Sequence, residues 1–321
     1  MKNDSRPVFI VGAPRSGTTL LQYMLRSHPN LSLPTGESHF FIPLFTHAER
    51  WGDLAQAGQV KALLAEMYRR SAEFLDTDLH GLRFDIDSLS DEIVTQGLVT
   101  VPDIIDFIYT KNAKGEGKQR WGDKTPYYVF HMPTILQMFP GAQFVHLIRD
   151  GRDCALSLID RKDDFGVYNL HFAGRYWKEY VDRGRESGAQ LPDGSYLEVK
   201  YEELISQPKL SVAKILAFLG EQYHTDVIEF RKSSLAPEES KTPLLSRSID
   251  AANKEKWRLK MSPWGIRLFE SAAGRTLTAS GYALETSEHE LPLPIRACYR
   301  LHNQAVRRLR RYWRAWQTRA L

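Results

Sequence analysis

Cysteine is almost absent from this 321-residue chain: Cys154 and Cys298 are its only two. Two isolated thiols exclude a disulfide framework and a cysteine metal cluster. The ten histidines show no H-E-x-x-H spacing, so no metal centre is expected. No apolar run reaches the length of about 18 residues that a transmembrane helix requires. The opening MKNDSRP meets the first core strand before a signal-peptide apolar region would fit, which leads us to expect a cytoplasmic protein. The C-terminal stretch also lacks acid. Residues 291–321 hold eight arginines and no Asp or Glu, so a whole-chain charge of +4 leaves the preceding residues at −4. With 42% hydrophobic residues the chain can bury a full core, as one large domain with appendages.

Strand and phosphate-seating sequence is concentrated near the start, in VFIVGAPRSGTTLLQYML, residues 8–25. Val8–Val11 suit a fully buried parallel strand, and Leu20, Leu21, Met24 and Leu25 recur at helical spacing. Between them Gly12 and Gly17 permit a sharp turn whose N–H groups can point at an anion on the positive end of the new helix. The spacing nearly meets the nucleotide-triphosphatase pattern G-x-x-x-x-G-K-[ST], but Thr18 stands where that pattern has its lysine. The one cation of the loop is Arg15. A cradle without the γ-phosphate reader suits a nucleotide with a shorter 5′ group.

This R-S-G-T-T loop resembles the first signature of the sulfotransferases that use 3′-phosphoadenosine 5′-phosphosulfate (PAPS). By that resemblance Arg15, Ser16, Gly17, Thr18 and Thr19 bind the donor. The second constellation is residues 121–158. Thr125-Pro126 starts a helix, Pro140-Gly141 turns into the strand Phe144–Ile148, and Arg149 follows at its carboxyl end, where ligands collect in doubly wound sheets. Sulfotransferases carry an arginine here and a serine eight residues on, both holding the 3′-phosphate; Arg149 and Ser157 have that spacing. A surface ion pair of Arg149 with Asp150 or Asp153 is the alternative use of this arginine.

Sulfuryl transfer to a hydroxyl needs one base and one or two cations. Tyrosylprotein-type and many bacterial sulfotransferases place a glutamate after an H-P-x pair and a short extended segment; here Leu31–Pro34 leads to Thr35-Gly36-Glu37, which makes Glu37 the base. Resemblance likewise makes Lys124, in W-G-D-K-T-P, the cation at the leaving oxygen, aided by Arg15, although pairing with adjacent Asp123 is open to it. Tyr201 in Y-E-x-L matches a tyrosine lining the nucleotide site, or serves the core. A serine, Ser248 or Ser246, and the cluster Lys254, Lys256 and Trp257 match the family's region that closes over PAPS.

The fold expected is α/β: a P-loop-type, mostly parallel sheet of about five strands with helices on both faces, Val8–Val11 and Phe144–Ile148 central. A helix-rich insertion at 46–119 forms the substrate side, with Leu63, Leu64 and Met67 on one face, Ile104, Ile105 and Ile108 on another, and a flexible loop at 112–118. The resemblance covers residues 7–285; a basic amphipathic helix at 286–321 lies outside it. There Ile295, Tyr299, His302, Val306, Leu309, Trp313 and Trp316 form a seam at spacings of four and three, opposite the arginines. Lying on an anionic membrane, docking on a partner and packing on its own domain are all open to such a helix. No nucleic-acid reader accompanies it, and no nucleic-acid partner is expected.

The activity implied is metal-free transfer from PAPS to a hydroxyl-bearing acceptor: a glycan, glycolipid, protein tyrosine or small molecule. The basic aromatic tail tilts this toward a lipid-linked or membrane-adjacent acceptor. Two rivals stand. Asp150 after F-V-H-L-I resembles the Mg²⁺-holding acid of an ATP-dependent P-loop kinase, and a non-catalytic nucleotide-binding protein would keep the cradle alone.

Overall fold

The computed structural model describes residues 6–71, 82–232 and 249–317, the side chains of 314–317 excepted. In chain order the elements are β1 (Val8–Gly12), α1 (Thr18–Arg26), β2 (Leu31–Ser32), α2 (Phe41–Thr46), α3 (Ala57–Arg70), α4 (Ile86–Thr95), α5 (Val101–Gly115), β3 (Arg120–Lys124), α6 (Met132–Met138) and β4 (Gln143–Ile148). There follow α7 (Gly151–Asp160), α8 (Lys162–Phe165), α9 (Leu170–Gly188), β5 (Tyr196–Lys200), α10 (Tyr201–Ser206), α11 (Pro208–Leu219), α12 (Trp257–Lys260), α13 (Pro263–Ala279) and α14 (Leu293–Gln317). They form two compact units. The first comprises residues 1–12, 17–147 and 186–250; the second comprises 13–16, 148–185 and 251–321.

The first unit carries a five-stranded sheet ordered β2-β3-β1-β4-β5. β1 pairs in parallel with β3 and with β4, and β2 pairs in parallel with β3. Because side chains alternate along a strand, β1 divides its apolar residues between two faces. Val8 and Ile10 join Leu21 and Leu25 of α1, Val145 and Leu147 of β4, and Ile215 and Leu216 of α11. Phe9, on the other face, stacks on Phe144 at 5.4 Å and meets Phe41 of α2 edge-on at 5.9 Å. Both faces are covered by helices. β1, with a parallel strand on each side, is enclosed along its whole length, all five of its residues being buried.

The insertion is helical as expected, and Leu63, Leu64, Met67, Ile104, Ile105 and Ile108 are buried. Its end differs from the expected flexible loop. α5 runs on to Gly115, Asn112 donates to Ser32 Oγ at 3.3 Å, and Glu116 pairs with the fully buried Arg26 at 3.1 Å. Lys118 is buried and donates to the carbonyls of Arg26 and Leu31. Burial lowers its pKa to about 8. Polar side chains that look like loop material find partners here that are remote in sequence, and those partners hold the segment.

In the second unit the tail forms α14, and its packing departs from the expected seam. The inward residue is Asn303, only 1% exposed; its Oδ1 accepts from the Tyr168 N–H at 2.7 Å and its Nδ2 donates to the Gly166 carbonyl at 2.9 Å. Tyr299 stacks on His171 at 5.6 Å between centroids, whereas Leu309 and Trp313 are exposed. The turn at 166–168 has backbone groups that an apolar seam would leave unsatisfied, and one asparagine satisfies two of them. No described helix is long and apolar enough to cross a membrane.

Candidate active site

In the first unit, Lys124 closes β3 opposite Ile10 of β1, at the carboxyl end of the sheet's centre. Its Nζ lies 2.9 Å from Glu37 Oε1. Neighbouring side chains on a strand point to opposite faces, so Asp123 turns away and accepts from the Tyr109 hydroxyl at 3.1 Å. Lys124 thus pairs with Glu37 and not with the adjacent Asp123 that the sequence left open to it. The next residue of each segment makes a second link: the Ser38 N–H donates to Thr125 Oγ1 at 3.0 Å, and Ser38 Oγ lies 2.8 Å from the Tyr128 hydroxyl. Upstream, Gln22 donates to the Pro34 carbonyl at 2.6 Å and Arg26 to that of Leu33. Glu37 is thus held from both sides on a segment with very little regular structure of its own.

Glu37 Oε2 lies 3.0 Å from His39 Nε2, and His39 occupies the left-handed region at φ 51°. Burial pushes the Glu37 carboxyl up, but the Lys124 ammonium and the hydrogen bonds from His39 and Lys124 outweigh it. They hold the pKa at about 2, down from an ordinary 4.5.

Gly12 and Gly17 bracket the loop at φ 151° and 95°. Gly17 caps α1 with no side-chain hydrogen bond, which leaves the first N–H groups of that helix for another acceptor. A Cβ on Gly17 would stand 2.4 Å and 2.6 Å from ring carbons of Tyr201. Tyr201 is 4% exposed and belongs to the core of the first unit, so its bearing on the site is through the loop it packs against. Thr18 is buried and Thr19 half-buried at the helix start.

The second unit gathers Arg15, Ser16, Arg149 and Ser157. Arg15 is left-handed at φ 71° and donates from Nε to Ser157 Oγ at 2.8 Å. Arg149 donates to the Arg15 carbonyl at 3.4 Å and to the Asn253 carbonyl at 3.2 Å, and touches Asp153 loosely at 3.5 Å. Burial lowers the Arg15 pKa, and repulsion from Arg161 and Arg149 lowers it further. Like charges crowded in this way favour an anion among them. Ser16 Oγ, fully buried, has no hydrogen-bond partner among the described residues. A buried hydroxyl without a partner fits an anionic oxygen as its intended acceptor.

Asp150 does not present itself to a metal. The Arg152 guanidinium takes both of its oxygens, at 3.0 and 2.8 Å, and reaches Glu270 at 2.8 Å. Trp257 packs against the same arginine. It is 1% exposed, its ring lies under the Arg152 guanidinium at 3.6 Å, and its backbone N–H donates to Asp153 at 3.0 Å. Lys256 sits half-buried just before it, as does Lys254 two residues earlier. Ser246 and Ser248 lie outside the described residues.

Residues 7–225 match the family model described as Sulfotransferase family. The chain belongs to that family. Among the relatives of this sulfotransferase-family chain, a protein-tyrosine sulfotransferase of Drosophila melanogaster is 24% identical over 261 residues, 80% of this chain and 46% of the fly protein. Protein-tyrosine sulfotransferase 2 of Gallus gallus is 24% identical over 262 residues, 80% of this chain and 62% of its own length. The chain therefore spans roughly half the length of those curated relatives. In fold it is similar to the sulfotransferase domain from the curacin biosynthetic pathway, with a TM-score of 0.62, 18% identity, and coverage of 87% of this chain and 99% of that one.

Three participants escaped sequence reasoning. His39 follows Glu37 by two residues, and a carboxylate with a histidine so near was a signal available in G-E-S-H. Arg161, beyond the R-x₇-S spacing, and Tyr128, which supports Ser38, had no local signal; only the packing brings them in.

Proposed function

We propose that this chain transfers a sulfuryl group from PAPS to a hydroxyl oxygen of an acceptor, with Glu37 as general base and Lys124 as the cation that steadies the leaving phosphate oxygen. The observation that carries the reading is the 2.9 Å pair of Lys124 and Glu37 at the carboxyl end of β3. When bound, PAPS supplies the electrophilic sulfuryl group and a phosphate as leaving group. Arg15, Arg149 and Ser157 would hold its phosphates, and the Ser16 hydroxyl and the N–H groups at the start of α1 would donate to further anionic oxygens. Lys256 and Ser248 are assigned to the same donor by family resemblance.

The two chemical residues act in a linked way. A carboxylate held at about 2 is a weak base. Once the Lys124 ammonium turns to a phosphate oxygen, Glu37 loses its largest stabilising charge and its pKa rises, at the point where the acceptor's proton must be taken. Glu37 then receives that proton as the acceptor oxygen becomes the nucleophile, and Lys124 donates to the oxygen on which negative charge collects. His39, at 3.0 Å from the second carboxylate oxygen, keeps Glu37 oriented.

For the acceptor we propose the phenol of a protein tyrosine, supported by the relatives named protein-tyrosine sulfotransferase. The kinase alternative is disfavoured by Asp150, whose oxygens are taken by Arg152. Incubation with radiolabelled PAPS and a panel of tyrosyl peptide, glycan, glycolipid and small phenol, in strong chelator, tests both parts. Label on the peptide supports the full reading, and label on another acceptor retains the transfer and removes the tyrosine. ATP consumption dependent on Mg²⁺, or adenosine 3′,5′-bisphosphate binding without PAPS turnover, overturns it.

A further inference from the structure

α14 docks on its own unit by its polar side and turns an apolar stripe outward. The inward line is Tyr299, Asn303 and Arg307; Asn303 bonds the 166–168 turn, and the Arg307 side chain lies against Gly166. At 3.6 residues per turn the opposite side carries Leu301, Ala305, Leu309 and Tyr312. Leu301 is 62% exposed, Leu309 68% and Tyr312 83%. Arg300, Arg308 and Arg311 are exposed along one flank of the helix, Arg308 next to the stripe and Arg311 nearer the inward line, where it lines a groove with Asp163 and Asp164. An apolar ridge with an aromatic residue, a row of arginines beside it and no acid from 291 to 321 has the charge and polarity of a surface that meets anionic lipid. A second copy meeting this face would bring Arg300 and Arg308 against their own counterparts with no acid from residues 291–321 between them, which disfavours self-pairing.

We infer that α14 is a peripheral membrane-binding element, with Leu301, Leu309 and Tyr312 entering the interface of a bilayer and Arg300, Arg308 and Arg311 contacting anionic headgroups. The inference stands apart from the transfer chemistry, since none of these residues belongs to the candidate site.

The test is sedimentation of the full chain with vesicles of phosphatidylcholine alone and of phosphatidylcholine with phosphatidylserine. Binding is expected to the mixed vesicles and to fall about fivefold for each of Arg300→Gln, Arg308→Gln and Arg311→Gln. Raising the salt should release the protein. Leu301→Asp with Leu309→Asp should abolish binding while far-ultraviolet circular dichroism and melting stay unchanged, because both positions are exposed. If that double variant loses its fold, Leu309→Ser alone must weaken binding at unchanged melting. Equal sedimentation with neutral and anionic vesicles, or full binding by the folded double variant, overturns the inference. So does a dimer in analytical ultracentrifugation that the same variants dissociate, which would assign the stripe to a second copy.

Discussion

Lys124 Nζ sits 2.9 Å from Glu37 Oε1, joining the end of a central strand to the segment after β2 across 87 residues of chain. The contact works because β3 is in parallel register with β1 and because Ser38 and Thr125, the next residue of each segment, are bonded to each other. Moving either segment by one residue would break both links.

Glu37→Gln keeps the shape of the side chain and removes its basicity. Turnover is expected to fall ~10²–10⁴-fold, with adenosine 3′,5′-bisphosphate affinity by calorimetry unchanged. Near-normal kcat would take the base role from Glu37.

Lys124→Met should lower kcat ~10²-fold or more. It should also raise the Glu37 pKa, since the burial that pushes the carboxyl up is then opposed only by His39. The sign follows for stability. A depressed carboxylate contributes fully above its ordinary 4.5 and loses that contribution as pH falls toward about 2. The wild type is therefore expected to exceed Lys124→Met in melting temperature above that window, with the gap closing through it. Carbon NMR titration of Glu37 checks the shift directly; an unchanged titration would separate the two residues.

Arg15→Gln removes the donor to Ser157 and one charge from the arginine group. Loss of a charged hydrogen bond to a phosphate is worth about 1.5–3 kcal/mol, so bisphosphate affinity should drop ~10–100-fold. Arg149→Gln should do the same. Calorimetry at fixed salt measures both, and equal affinities would place the phosphates elsewhere.

Gly17→Ala puts a methyl 2.4 Å from the Tyr201 ring on a residue at φ 95°. Overpacking and left-handed strain together should cost about 1–3 kcal/mol in urea unfolding. Tyr201→Ala in addition removes the clash and leaves the backbone strain, so the double variant should not recover the wild-type bisphosphate affinity.

Arg152→Met leaves Asp150 and Glu270 as buried carboxylates without their cation. Unfolding measurements should show a loss of about 3–5 kcal/mol. Trp257, left with the Arg258 guanidinium alone over its ring, should change its fluorescence as well.

Much of the fold was legible because local sequence carries it. Val8–Val11 is apolar throughout and Phe144–Ile148 is apolar but for His146, so both strands are read from a short window. The segment at 112–118 was misread because its stability comes from Arg26, Ser32 and Leu31, none of them near in sequence. The partner of Trp257 was hidden for a related reason: an aromatic beside lysines has the same appearance whether it meets a ligand or an internal arginine. The tail showed its helix and its charge plainly, yet not which side faces inward.

Sequence alone determined the residues that can seat an anion and turn the backbone, since Gly12, Arg15 and Gly17 act through their own conformations and charge. Tertiary structure decided the pairings: that Lys124 meets Glu37 and not Asp123, that Arg15 meets Ser157, and that Asn303, a polar residue, is the buried anchor of the tail. Backbone preference is a property of each residue and its neighbours, whereas an ion pair or a buried hydrogen bond depends on which distant groups the packed sheet and helices leave facing one another.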